Sequence, residues 1–278
     1  MALTILLIVF ALIEDAATYF LIGFWNNWMY LIFCWEPILA FPIWYLLNFG
    51  IVLLVAFLFG LTINTKKEIK KPSNFARFLV TQVVKQINFL ARIRLITTGT
   101  DKIIHSHNLT FVYNHVSKFD PMIIMDRFAK DKIICVTKPE NKKIPITGPF
   151  IHKAGYISVN RENNAEGIKA IQTGVEYIEK YHYSICIAPE GRRSLNARLL
   201  PFRPGAFNVA LMGKTDIVVV GFKNTNRIHV NFPWKRTKVN MDVLEVIPYD
   251  TIKEMTTREI SDYVHKLYED YLDDGYLK

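Results

Sequence analysis

Two short segments of this 278-residue chain combine side chains suited to acid–base and phosphate chemistry. In Asn114-His115-Val116-Ser117-Lys118-Phe119-Asp120 an imidazole stands five residues before a carboxylate. If the chain turns between them, the carboxylate accepts a hydrogen bond from one ring nitrogen while the other nitrogen faces substrate. Such a pair is a general base, because Asp fixes the tautomer and stabilises the imidazolium formed when a hydroxyl gives up its proton. The plainer alternative is a helix start, with Asp120 at the N-cap and Pro121 at N1. The second segment is Ala188-Pro189-Glu190-Gly191-Arg192-Arg193-Ser194. Gly191 lets the backbone approach a ligand, and the Arg192 and Arg193 guanidinium forks match phosphate oxygens. Glu190 either holds one of those arginines or binds a substrate hydroxyl, and the alternative for the whole segment is a charged, solvated turn. A third run, Gly155-Tyr156-Ile157-Ser158-Val159-Asn160-Arg161, reads by itself as an edge strand with a basic tip.

The elements that must position these side chains follow from periodicity. Apolar runs predict strands at 94–98, 109–113, 132–136, 156–159, 183–188, 216–222 and 238–247, and amphipathic stretches predict helices at 122–128, 165–181, 206–213 and 257–271. Ile168, Ile171, Val175 and Ile178 recur at helical spacing and make one apolar face. Strands interleaved with helices imply an α/β fold, a largely parallel central sheet flanked by helices. Both chemical segments directly follow an apolar strand, where open α/β sheets place their ligands. Residues 82–95 are ambiguous, since their apolar and basic side chains also suit a helix lying on a membrane.

The chain divides at about residue 65. Residues 1–65 contain no Lys, Arg or His and only Glu14, Asp15 and Glu36 as charges, so residues 66–278 carry all 34 basic side chains against 22 of the 25 acidic ones. A helix needs about 20 apolar residues to cross the hydrocarbon core, and residues 43–63 meet that requirement without a charge. Residues 2–21 contain Glu14 and Asp15, each costing about 2.5–3.5 kcal/mol at mid-bilayer, so they form a span that ends early or a helix in the interface. Trp25, Trp28, Tyr30 and Trp35 between them resemble an aromatic belt, which favours a helical hairpin. No positive n-region marks a cleaved signal peptide. Lys66, Lys67, Lys70 and Lys71 follow the span, and the positive-inside rule places residues 66–278 on the cytoplasmic side of a cell membrane. A basic domain beside an apolar anchor suits anionic lipid headgroups. Three scattered cysteines, Cys34, Cys135 and Cys186, support neither a disulfide framework nor a zinc site.

Taken in order, these segments resemble the glycerolipid acyltransferase family of 1-acyl-glycerol-3-phosphate acyltransferases. Asn114, His115, Ser117 and Asp120 match Asn-His-x-Ser-x-x-Asp, Gly155 to Arg161 match a strand ending in Arg, and Pro189 to Ser194 match Pro-Glu-Gly-Thr-Arg-Ser with Arg192 in place of Thr. Phe202-Arg203-Pro204-Gly205 resembles Phe-Lys-x-Gly, and 217–222 resembles the fourth motif without its Pro. The resemblance covers about residues 90–225. It implies that His115 deprotonates a lysophosphatidic acid hydroxyl, which attacks the thioester of acyl-CoA or acyl-carrier protein without an acyl-enzyme, and that Asp120 orients His115. It further implies that Arg161 and Arg193, with Glu190 and Gly191 shaping the loop, hold the glycerol phosphate, with Arg192 and Lys138 as additional basic contacts. Ser117 is expected to be a structural hydroxyl. No cofactor is implied beyond the acyl donor, and the partners are membrane lipids.

Other classes fit less well. No Gly-x-Ser-x-Gly elbow marks a serine hydrolase. His105 and His107, with His115, are the metal-site alternative, although no carboxylate adjoins them in sequence. A non-catalytic anionic-lipid binder would need the basic domain without the His115 and Asp120 pair. Nucleic-acid binding would use the same net charge, yet the basic residues form no helical stripe or recognition motif, so no nucleic-acid partner is expected.

Overall fold

The structure, a computed structural model, describes residues 2–25, 36–105, 107–160, 163–194 and 198–273. It begins with two long apolar helices, α1 (Ala2–Trp25) and α2 (Glu36–Leu61), packed side by side. α1 continues through Glu14 and Asp15, and α2 supplies a partner for the first: Asn48 Nδ2 donates to Glu14 Oε2 at 2.5 Å. α2 starts earlier than residue 43 because Pro42 is accommodated inside the helix. Both are long and apolar enough to cross a membrane, and their outward side chains, Phe10 and Ile13 on α1 and Ile43, Leu54 and Leu58 on α2, remain exposed. The buried helices of a soluble core do not look like this. The aromatic residues Trp28, Tyr30 and Trp35, and Cys34, lie outside the described residues.

The ambiguous stretch resolves into a helix followed by a strand. Ser73 caps α3 (Asn74–Leu90) by accepting from Ala76 N at 3.2 Å. Ala76, Val80 and Val84 of α3 join the main core, while Gln82 and Gln86 turn toward the hairpin: Gln82 accepts from Leu3 N, and Gln86 bonds Thr4 Oγ1 and the Tyr45 hydroxyl. α3 is therefore a layer between the hairpin and the sheet domain, and Gln82 and Gln86 bind the apolar helices at points where those helices offer polar groups.

Then follow β1 (Ile93–Thr98), β2 (Leu109–Tyr113), α4 (Phe119–Arg127), β3 (Ile133–Thr137), α5 (Thr147–Lys153), β4 (Ile157–Ser158), α6 (Asn164–Tyr181), β5 (Ser184–Ile187), α7 (Asn208–Gly213), β6 (Asp216–Lys223), α8 (Ile228–Asn231), β7 (Thr237–Ile247), α9 (Tyr249–Ile252) and α10 (Thr257–Asp273). The strands form a seven-stranded sheet in the order β1-β7-β6-β2-β5-β3-β4. Every neighbouring pair is parallel except β6 and β7, so β6, β2, β5, β3 and β4 all run one way. Central strands are buried on both faces, which is why 109–113 and 217–222 read as continuous apolar runs rather than alternating ones.

Two differences from the periodicity reading have local causes. β4 is only two residues long because Gly155 turns into it with φ +84°, a conformation in which a Cβ would meet Pro72 at 2.8 Å. The apolar stripe of α6 is split: Val175 and Ile178 pack on the core, whereas Ile168 is 59% exposed and lines an open cavity with Ile171. Cys135 and Cys186 are register partners on β3 and β5, buried and free.

Candidate active site

β2 and β5 are adjacent and parallel, with Phe111 opposite Cys186 and Val112 opposite Ile187. Their carboxyl ends therefore deliver the two chemical segments side by side, although 75 residues separate His115 from Glu190. Asn114 prolongs β2 with its side chain: its amide accepts from Phe222 N at 2.7 Å and donates to Phe222 O at 3.1 Å, which ties the strand end to β6.

The backbone of His115 is held from both sides by the second segment. Its N–H donates to Glu190 Oε1 at 2.7 Å, and its carbonyl accepts from Ser194 N at 2.8 Å. The ring stacks edge-on against Tyr113, with centroids 5.6 Å apart. Nδ1 lies 3.1 Å from Asp120 Oδ2. With the proton on Nδ1, the lone pair is on Nε2, and the side chain is 14% exposed, enough to reach a substrate from an otherwise closed wall.

Asp120 does not act as an ordinary helix cap. α4 begins before it, at Phe119, and its carboxylate points back into the turn, where Oδ2 also accepts from Val116 N and Ser117 N at 2.7 Å each. Those two backbone donors lock a fully buried carboxylate onto His115. Ser117 is structural in its contacts, its hydroxyl accepting from Phe119 N at 3.3 Å. This six-residue turn thus makes the pairing that the spacing allowed.

Glu190 corrects one expectation. It does not grip a neighbouring arginine: it is 5% exposed, and its second oxygen accepts from Leu200 N at 3.1 Å, so the carboxylate braces the His115 backbone from within. Gly191 has φ +72°, and a Cβ there would come within 2.9 Å of Arg203 Nε, so the glycine makes room for that side chain. Arg192 and Arg193 are exposed and form no ion pair among the described residues. Lys138 leads out of β3 at the same edge of the sheet and is exposed. Arg161 lies outside the described residues; β4, which precedes it in the chain, ends at that edge too, two strands from β5 and so about 10 Å across the sheet. Beside this edge an apolar cavity of about 640 Å³ opens between α6 and the ends of β4 and β5, lined by Ile171, Ile187, Val209, Pro189, Gly191 and Arg203 among others. Neither this cavity nor the inward turn of Glu190 is visible in one-dimensional spacing.

The imidazoles of the metal-site alternative are occupied elsewhere. His105 pairs with Asp131 at 2.7 Å and His107 with Asp216 at 2.8 Å, at the opposite end of β2. Among the described residues no cluster of three or more His, Cys, Asp or Glu side chains could hold a metal.

A family model described as Acyltransferase matches residues 94–223, which run from β1 to the end of β6 and contain the whole site. The chain is 28% identical over 160 residues to the 1-acyl-sn-glycerol-3-phosphate acyltransferase of Haemophilus influenzae, covering 57% of this chain and 66% of that protein. It is 25% identical over 179 residues to the enzyme of that name from Saccharomyces cerevisiae, covering 62% and 58%. The matched part therefore spans 66% and 58% of these two relatives' length. The crystal structure of the 1-acyl-sn-glycerophosphate acyltransferase PlsC from Thermotoga maritima superposes with a TM-score of 0.55 at 18% identity, over 82% of this chain and 97% of that one, so the likeness of fold extends beyond residues 94–223.

The buried Glu190 gives the stability of this domain a pH dependence. Burial, reinforced by the nearby Asp120 charge, outweighs the two N–H donors and pushes its carboxyl from 4.5 up to about 7. A raised carboxyl binds more protons folded than unfolded, so its stabilising contribution is present below about pH 4.5 and lost as pH rises through about 7. At 1.36 kcal/mol per pKa unit this amounts to about 3 kcal/mol. Thermal melts of the wild type and Glu190→Gln at pH 5 and pH 8 should show a smaller loss of stability over that interval in the variant. Equal losses would contradict the shift.

Proposed function

We propose that this chain is a membrane-anchored 1-acylglycerol-3-phosphate O-acyltransferase, which moves a fatty acyl group from acyl-CoA or acyl-carrier protein to the sn-2 hydroxyl of lysophosphatidic acid and forms phosphatidic acid. The observation that carries this reading is the His115 Nδ1 to Asp120 Oδ2 contact beside the Glu190 loop at the ends of adjacent strands. His115 Nε2 takes the proton of the acceptor hydroxyl as its oxygen attacks the thioester carbonyl. The C–S bond then breaks, and the thiolate leaves with the proton returned by His115, so no acyl-enzyme and no cofactor is required. Asp120 stabilises the transient imidazolium. Arg193 and Arg161, with Arg192 and Lys138 nearby, grip the glycerol phosphate, and the apolar cavity offers an acyl chain a place out of water.

The hairpin of α1 and α2 is read as the membrane anchor, with residues 66–278 on the cytoplasmic face of the cell membrane. Its support is the apolar surface those helices leave exposed and the Lys66, Lys67, Lys70 and Lys71 cluster that follows them. The test is direct: purified membranes bearing the protein, given labelled acyl-CoA or acyl-carrier protein, should convert lysophosphatidic acid to phosphatidic acid. Failure with both donors would leave a non-catalytic lipid binder, and a preference for glycerol 3-phosphate would reassign the acceptor.

Phosphate recognition gives a sharper check. Arg193→Lys keeps the charge but loses the paired fork, so kcat/KM for lysophosphatidic acid should fall about 10- to 100-fold, the equivalent of one charged hydrogen bond of about 1.5–3 kcal/mol. An uncharged monoacylglycerol acceptor should lose little, and the control Lys66→Ala should leave catalysis nearly unchanged. The same loss with both acceptors would show that Arg193 does not read the phosphate.

A further inference from the structure

Residues 223–238 hold five Lys or Arg and no Asp or Glu, and Val230, Phe232 and Trp234 alternate among them. Such a stretch would bury its apolar members if it served only the core, yet only Ile228 does so. Val230 is 71% exposed, Phe232 50% and Trp234 84%. The tip that carries them, from α8 to the start of β7, is held in place. Arg92 Nη1 donates to the carbonyls of Pro233 and Trp234 at 2.9 and 3.1 Å, Lys235 N donates to Asn231 O at 2.8 Å, and Asn231 Nδ2 donates to Thr237 Oγ1 at 3.0 Å. Three large apolar side chains are thereby presented outward by a braced backbone, with Arg227, Lys235, Arg236 and Lys238 exposed around them.

The position of the tip indicates what covers it. Arg92 follows Leu90 by two residues, and Leu90 packs against the hairpin cluster of Leu7, Ala11 and Tyr45. α3, which carries Leu90, also leaves Phe75, Phe78 and Phe89 exposed. The apolar tip is thus tied by a direct chain of contacts to the helices read as the anchor. Trp and Phe favour the boundary between headgroups and acyl chains, and Lys and Arg beside them favour anionic lipid.

We propose that residues 228–238 are a second membrane contact, with Val230, Phe232 and Trp234 in the interfacial layer of an anionic bilayer and Lys235, Arg236 and Lys238 among its phosphates. The inference rests on the reading of α1 and α2 as a membrane anchor. A hairpin alone leaves the domain free to tilt about one attachment; a second contact at the β1 and β7 side of the sheet sets that tilt, and with it the presentation of the site to lipid acceptors.

The test uses the full chain, one copy per nanodisc, in phosphatidylglycerol with acyl chains brominated near the headgroups, paired with Trp234→Phe. The emission lost on that substitution is the share of Trp234, and bromination should quench this share about twofold or more if the indole sits in the interface. Lys235→Glu with Arg236→Glu should restore most of it. Quenching of the remaining tryptophans, Trp44 of α2 among them, with no change in the Trp234 share would overturn the second contact and leave the anchor standing. Absence of quenching from every tryptophan would remove the anchor and this inference together. A Trp234 share that responds only when two chains occupy one disc would assign the tip to a second copy of the chain and overturn the lipid proposal.

Discussion

Replacing His115 by alanine should lower acyl transfer by about 10²- to 10⁴-fold, the usual contribution of a positioned general base, while leaving the fold intact. The fold should survive because the backbone of residue 115, not its ring, carries the bonds to Glu190 and Ser194. The ring contributes mainly an edge contact with Tyr113 and the bond to Asp120. Steady-state assays on reconstituted protein should accordingly show the loss in kcat, with unchanged melting behaviour and unchanged membrane association. Wild-type turnover in the alanine variant would end the general-base assignment, and a large drop in melting temperature would mean that the variant reports on packing.

Asp120→Asn isolates the charge from the shape. An amide oxygen in place of Oδ2 can still accept from His115 Nδ1, Val116 N and Ser117 N, so the turn keeps its hydrogen bonds. What disappears is the negative charge that stabilises the imidazolium, and an equivalent substitution behind a catalytic histidine costs up to about 10⁴ in kcat. The amide NH2 would occupy the place of Oδ1, a buried atom with no hydrogen-bond partner among the described residues, and leaving that donor unsatisfied should cost about 1–3 kcal/mol of stability. Chemical denaturation and single-turnover kinetics on the same sample separate the two effects. Retention of rapid acyl transfer by a folded Asn variant would show that Asp120 shapes the turn without assisting the chemistry.

The chemistry of the pair was legible because its parts are close in sequence. His115 and Asp120 are joined by one turn, and Asp at that spacing has few places to point once Val116 and Ser117 offer their N–H groups. The second segment was legible as a ligand loop from Gly191 and its arginines, yet Glu190 turns inward to the backbone N–H groups of His115 and Leu200 and holds neither arginine. Its direction depends on Leu200 and His115, one ten and one seventy-five residues away, and no local pattern encodes which of two exposed-looking charges will be desolvated.

Read alone, the amino-acid sequence determined the main strand and helix alternation, the two apolar helices and the possible pairing of His115 with Asp120, because hydrophobic periodicity, turn residues and short-range hydrogen bonding act over a few positions; the roles of the motif residues came from the resemblance to acyltransferases. Strand β2 has the predicted limits, Leu109 to Tyr113, for that reason. Only the tertiary structure decided that β5 inserts between β2 and β3, that Asn114 clips onto β6, that α3 spaces the hairpin from the sheet, and that half of the α6 stripe lines a cavity. It likewise decided that Trp234 faces outward from an Arg92 brace contributed 142 residues earlier. Each of these is a pairing between distant segments, selected by the burial and hydrogen bonding of the whole sheet, and so each lies beyond what any single stretch of the chain specifies.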